Sequence, residues 1–147
     1  MSAPPRNRMA IAMLALIGFF VALYLFAHNL GLTGPIQCGV GDCGTVQASQ
    51  WATLGGIPVS AIGLAGYLAL LVLALVGLQP SFAARRGVAL GLFGGSLLGV
   101  LFSGWLTWLE AFVIHAWCQW CVLSAVIISL VFLAALPEAR RLTRTTP

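Results

Sequence analysis

Hydrophobic positions in this chain are gathered into four long runs, broken by short segments rich in glycine, proline, arginine and polar residues. The runs cover residues 9–30, 57–78, 87–109 and about 117–136. Each is close to the ~20 residues that cross a ~30 Å hydrocarbon core at ~1.5 Å per residue. In lipid the backbone has no water to bond, so every N–H and C=O must be satisfied within the span, and each run is expected to be a helix. The pattern predicts an all-α protein, an integral membrane four-helix bundle forming one membrane domain over residues 1–147. The first run follows Arg6 and Arg8 as a secretory signal would. It is much longer than the ~7–15 apolar residues of a signal core, and reads as a membrane anchor.

Composition strengthens this reading. Hydrophobic residues make up 61% of the chain and charged residues 7%, against roughly 25% charged in soluble domains. The basic excess comes from seven arginines and no lysine. Nucleic acid is not expected as a partner, because the arginines form three small groups beside apolar runs instead of a stripe that could follow phosphates. They report topology instead. Arg6 and Arg8 precede the first run, Arg85 and Arg86 lie between the second and third, and Arg140, Arg141 and Arg144 follow the fourth. The opposite loops, residues 31–56 and about 110–116, hold none. The positive-inside rule then places both termini in the cytoplasm. Trp51, Trp105, Trp108, Trp117 and Trp120 fall at the other face, where indole rings favour the headgroup boundary.

That outer face also receives all four cysteines: Cys38 and Cys43 in the long first outer loop, Cys118 and Cys121 at the head of the last run. In a bacterial plasma membrane or an ER-like one this is the oxidising side, and two close pairs suggest two disulfides. Three readings are open: structural staples, a redox-active set, or a four-cysteine zinc site. A bond closing the short Cys38 to Cys43 loop would constrain the unfolded chain little. Gly39, Gly41 and Gly44 let that turn bend around a bond or relax from it. The fourth helix runs inward, so Cys118 meets the positive end of its macrodipole, where a thiolate is stabilised. Cys121 lies one turn deeper, roughly 4.5 Å at ~1.5 Å per residue. Zinc leaves that depth unexplained.

Other polar positions are fewer. Gly87, Gly91, Gly95, Gly99 and Ser103 recur every four residues, a small-residue stripe for close helix packing. From Thr45 to Leu54, Val46, Trp51 and Leu54 suggest a short amphipathic segment on the membrane that could roof a cavity. His28 and His115 are near the outer face, and His115 precedes Cys118 by three residues, where a helical turn would bring it to a thiolate or a quinone oxygen. Ser60, Tyr67 and Ser124 lie at membrane depth, to bond between helices or to face a bound ring. Asp42, Glu110 and Glu138 are at loops or helix ends and are expected to be solvated.

C-x4-C in the first outer loop, Ser49 six residues after its second cysteine, WATLGGIP leading into the second span, and CxxC heading the last span together resemble the vitamin K epoxide reductase (VKOR) family, in its bacterial branch. The resemblance covers about residues 10–135. The other quinone-linked disulfide oxidase family, DsbB, carries its CxxC in the first outer loop, the reverse order. The resemblance implies that Cys118 and Cys121 are the active-site disulfide with Cys121 next to a quinone, that Cys38 and Cys43 are the shuttle pair, and that Ser49 bonds a quinone oxygen. Ser124, Tyr67 and His115 are further candidates for the quinone site. Some members hold the quinone with an Asn in the second span and a Tyr four residues after the last cysteine. Here the second position is Ala125, and the second span has no Asn.

The implied function is a quinone-dependent thiol–disulfide oxidoreductase of the bacterial inner membrane that re-oxidises an extracytoplasmic thioredoxin-fold protein. The alternatives are a vitamin K epoxide or quinone reductase proper and a structural bundle with staples. The acceptor would be a quinone of ubiquinone, menaquinone or vitamin K type. With eleven residues after Leu136, the partner is expected to be a separate, DsbA-like protein.

Overall fold

A computed structural model describes residues 5–144; residues 1–4 and 145–147 of the expected unit lie outside the described residues. Four long helices are each apolar enough to cross a membrane. They are α1 (Arg6–Asn29), α3 (Val59–Leu78), α4 (Arg86–Leu109) and α5 (Gln119–Arg144). Between α1 and α3 a loop carries the short helix α2 (Cys43–Ala48), a 3-10 turn (Gln50–Ala52) and a two-residue hairpin, β1 (Thr53–Leu54) with β2 (Ile57–Pro58), registered Leu54 to Ile57. The expected amphipathic segment is thus split in three. Its helical part starts earlier, at Cys43, because the Asp42 carboxylate caps it: Thr45 N donates to Oδ1 at 3.1 Å and Thr45 Oγ1 to Oδ2 at 2.6 Å. Gly55 and Gly56, with φ of +59° and +84°, turn the hairpin, and α3 begins two residues later than the apolar run.

The helices pack α1 against α3 and α5, and α4 against α5 and, more loosely, α3. The core is apolar, with Ile11, Ala15, Ala74, Leu92 and Val131 buried. Lipid is as apolar as these side chains, so association rests on close packing and bonds between helices. The small-residue stripe of α4 supplies part of it. A Cβ at Gly91 would lie 2.7 Å from Leu73 of α3, and one at Gly99 2.7 Å from Ile128 of α5, whereas Gly87 meets open space. Asn29 of α1 donates to Ser60 of α3 at 2.7 Å, and the Tyr67 hydroxyl of α3 bonds Ser124 of α5.

At the arginine end the structure overturns one expectation. Glu138 is fully buried, not solvated: Arg8 reaches it with Nε and Nη2, each at 2.9 Å, and Asn7 adds a third bond at 2.8 Å. Arg8 Nη1 also donates to the carbonyls of Gly77 and Ala83. The side chain therefore joins α1, the end of α3, the α3–α4 connection and α5. Helix α1 starts three residues earlier than its apolar run, which puts Arg8 inside the helix. Likewise α5 continues through Pro137, where the run ended at Leu136. An internal proline costs a helix ~3 kcal/mol, and the Arg8 to Glu138 tie immediately after it holds the final turns in place.

Candidate active site at the cysteine end

All four cysteines lie at the end of the bundle opposite that ion pair. Cys38 and Cys43 are joined by a disulfide, and Cys118 and Cys121 are thiols. A zinc site would need all four sulfurs as thiolates, and this bond occupies two of them.

The loop carrying the disulfide is docked on the start of α5 through its backbone. Gly41 forms a bridge with Cys118, and Asp42 N donates to Trp117 O at 2.6 Å. Val40 N reaches Gln119 Oε1 at 2.8 Å, and Trp120 Nε1 donates to Gln37 O at 2.6 Å. Gly41 has φ +89°, and a Cβ there would collide with the carbonyl of Trp117, so two separate restrictions require glycine. Docking buries Cys43 and Cys118 completely in one small cluster with Val46, while Cys38 stays half-buried at its edge.

Cys118 sits just before α5, its carbonyl accepting the first helical bond from Val122 N at 3.0 Å. The helix starts two residues later than its apolar run, so Cys118 is the N-cap and Cys121 is in the first turn. The Cys118 thiol is lowered from its usual 9 to about 7. The leading cause is the hydrogen bond from the Cys121 thiol, helped by the N–H groups of Cys121 and Trp120 and opposed by burial and by the Glu110 charge. The shift favours the thiolate of Cys118 over that of an ordinary cysteine.

Cys121 borders a cavity of about 590 Å³ enclosed by α1, α3, α4, α5 and the α2 segment. Most of its wall is aliphatic, from residues such as Leu25, Leu70 and Ile128. Ser49, Tyr67 and Ser124, all expected at a quinone site, line it. Their groups already have partners: Ser49 Oγ donates to Val46 O at 2.7 Å, and Tyr67 OH lies 2.8 Å from Ser124 O and 2.9 Å from Ser124 Oγ. His115 is a correction. It is exposed in a left-handed turn at φ +57°, so no helical turn links it to Cys118, and it is absent from the cavity wall. His28 is half-buried, its Nδ1 3.4 Å from Gly34 O. The upper part of the glycine stripe, Gly95, Gly99 and Ser103, also faces the cavity.

Two residues of the site were not anticipated. Gln47 points its amide at the active pair, Nε2 lying 3.4 Å from Cys121 Sγ and 3.9 Å from Cys118 Sγ. Its position one helical turn beyond Cys43 was the available signal. Glu110 is the second, and its expected solvation is corrected: it is 4% exposed, lines the cavity, and accepts from Cys118 N through Oε2 at 3.3 Å. The chain leaves α4 through a π turn, Glu110–Ile114, whose first carbonyl is bonded by the N–H groups of His115 and Ala116. That wider turn aims the Glu110 side chain at the start of α5. The signal was an ionisable residue ending an apolar span, which marks function by default.

A disulfide buried against a thiol pair, itself bordering an apolar cavity in a multi-pass bundle, defines a membrane thiol–disulfide oxidoreductase. Residues 9–136 match the model of the vitamin K epoxide reductase family, most of the chain, and the protein belongs to that family.

Proposed function

We propose that the protein passes electrons from an extracytoplasmic thioredoxin-fold dithiol through its four cysteines to a membrane quinone, supporting disulfide formation. The observation that carries this is the graded placement of the sulfurs: Cys38 half-exposed, Cys43 and Cys118 buried together, Cys121 on the cavity wall. The cysteine end faces outward from the bacterial inner membrane, because the arginines gather at the other end.

The partner's thiolate attacks Cys38, the accessible sulfur, and Cys43 leaves as a thiolate. Cys43 attacks Cys118 of a Cys118–Cys121 disulfide. The partner's second thiol releases Cys38, which attacks Cys43, restores the loop disulfide and frees Cys118. The state reached is the one in the structure, a bonded shuttle pair beside two thiols. Cys118 stays reactive there because its thiolate is stabilised. Re-forming the Cys118–Cys121 bond empties the pair into the cavity, with Gln47 steadying charge on either sulfur.

The cavity fits a quinone: its volume is within the ~300–1,000 Å³ of ligand sites, and its wall is apolar with a few polar groups at the Cys121 end. Ser49, Tyr67 and Ser124 line it, and would hold the ring by exchanging their present bonds for ones to it. When bound, a quinone supplies a two-electron acceptor dissolved in the membrane.

The test is quinone reduction by the reconstituted protein with a reduced thioredoxin-fold protein or dithiothreitol as donor. Ubiquinone or menaquinone analogues should be reduced, and Cys43→Ala should trap the partner on Cys38. Reduction of the vitamin K epoxide alone would assign the other activity of the family, and no mixed disulfide at Cys38 would overturn the relay.

A further inference from the structure

The cavity end of α4 holds a charged group that the electron relay does not use. The Glu110 carboxyl is almost fully buried, and among the described residues the ion pairs are made by Glu138, none by Glu110. Every arginine belongs to the other end, and the chain has no lysine. Burying a carboxylate without a cation is costly. A group kept there at such cost, between two thiols and a cavity, has chemistry to do.

We propose that Glu110 is the proton acceptor of the active pair: its carboxylate takes the proton of the Cys121 thiol and passes it into the cavity. The inference deepens the reading above and rests on it. One carboxylate oxygen is anchored by Cys118 N at 3.3 Å, and Glu110 and Cys121 line the same cavity. The group is thus bonded to one member of the pair and shares with the other the space where their electrons go.

No other neighbour serves as well. The titratable groups facing Glu110 are Cys118 and Cys121 at the start of α5, with Tyr67 of α3 on the same cavity wall. Tyr67 is engaged with Ser124. On α2, Cys43 is bonded to Cys38 and Gln47 is an amide that does not titrate. From α1, His28 is turned to Gly34 O, and His115 is outside the cavity.

The step balances. Beginning with Cys118 as thiolate and Cys121 as thiol, forming the S–S bond releases two electrons and one proton. The electrons go to the quinone, and the proton goes to Glu110 and then to a quinone oxygen. The second proton of the quinol, which Cys118 gave up on ionising, returns from the outer aqueous side. Glu110 ends as a carboxylate, ready for the next cycle.

A merely structural Glu110 would hold Cys118 N–H, and Glu110→Gln keeps an oxygen for that bond. The decisive readout needs no quinone. In full-chain Cys118→Ser protein, with the Cys38–Cys43 disulfide intact, Cys121 is the one free thiol, and its modification by N-ethylmaleimide can be followed by mass spectrometry across pH. With Glu110 as acceptor, an internal proton transfer supplies thiolate without release to water. The rate then levels to a pH-independent floor on the acid side of thiol ionisation. Adding Glu110→Gln should remove the floor, leaving a rate that falls about tenfold per pH unit. Absence of the floor with Glu110 present overturns the proposal, even if the Gln variant fails to fold. A faster Cys121 in the Gln variant also overturns it, since that is what loss of a nearby negative charge alone would do.

In single turnovers with a short-chain ubiquinone analogue, Glu110→Gln should slow quinone reduction about 100-fold, within the usual ~10²–10⁴ of acid–base catalysis. Unchanged turnover in that variant contradicts the proposal. Should wild-type protein reduce no quinone, the functional reading falls, while the maleimide profile still decides whether Glu110 takes the Cys121 proton.

Discussion

Glu110 and Glu138 occupy opposite ends of the same bundle, both buried and both at the margin of an apolar run, yet their surroundings differ completely. Glu138 receives a two-pronged guanidinium, an amide and a second arginine, Arg141, at 3.6 Å. Glu110 has one backbone N–H and a cavity whose wall it shares with Cys121. Charge-assisted bonds from a planar fork fix a carboxylate in place and in ionisation, which makes the arginine end a clasp. Without a cation, a carboxylate is free to exchange a proton with what lies beside it. The clasp holds the helix ends together, and the cysteine end is left open enough to bind and react.

If the two ends divide the work this way, variants should separate activity from stability. Cys121→Ala should abolish quinone reduction, a loss of more than about 10³-fold, while the unfolding free energy changes by less than about 1 kcal/mol; a comparable loss of stability would mean that the pair is a staple. Arg8→Ala should do the opposite. It leaves the buried Glu138 with only Asn7 and the more distant Arg141, and denaturant unfolding should show a loss of about 3 kcal/mol with turnover per folded molecule retained. Gly41→Ala, strained at its left-handed φ and against Trp117 O, should undock the loop at a cost of about 1–3 kcal/mol. Electron entry from a protein dithiol should then slow about tenfold or more, the equivalent of ~1.4 kcal/mol, while dithiothreitol given directly to the inner pair is still accepted.

Two smaller effects sharpen the picture. Cys118, held at about 7, should alkylate at a rate that rises with pH and is half-maximal there, because the reactive thiolate accumulates as pH climbs through that value. A midpoint near 9 would show that the start of α5 and Cys121 do not stabilise it. Tyr67→Phe removes the bonds to Ser124 and should cost about 0.6 kcal/mol, the typical worth of such a bond between membrane helices; a much larger loss of quinone reduction would place its hydroxyl on the acceptor.

Much of this was legible in the chain. Run length gave the four spans, arginine spacing put Arg85, Arg86 and Arg140 at one end and the cysteines at the other, and the cysteine pattern with Ser49 pointed to the family. What escaped depends on contacts that periodicity does not carry. Arg8 and Glu138 are 130 residues apart, and each looks like a flanking charge until the helices close around them. Glu110 and His115 were misplaced for one shared reason: the π turn and left-handed residue between α4 and α5 send one side chain inward and the other out. Gln47 was marked only by its place one helical turn beyond Cys43, and its contact with the thiols exists only once the loop docks through Gly41.

The proposed relay has Cys118 and Cys121 deliver electrons to the cavity while Cys38 and Cys43 only bring them in. It is tested by a Cys38→Ala/Cys43→Ala double variant, reconstituted with a ubiquinone analogue and assayed with two donors. Quinone reduction near the wild-type rate is expected with dithiothreitol, and none with a reduced thioredoxin-fold protein. Loss of the dithiothreitol-driven reaction, or its survival when Cys121 is replaced, would contradict it.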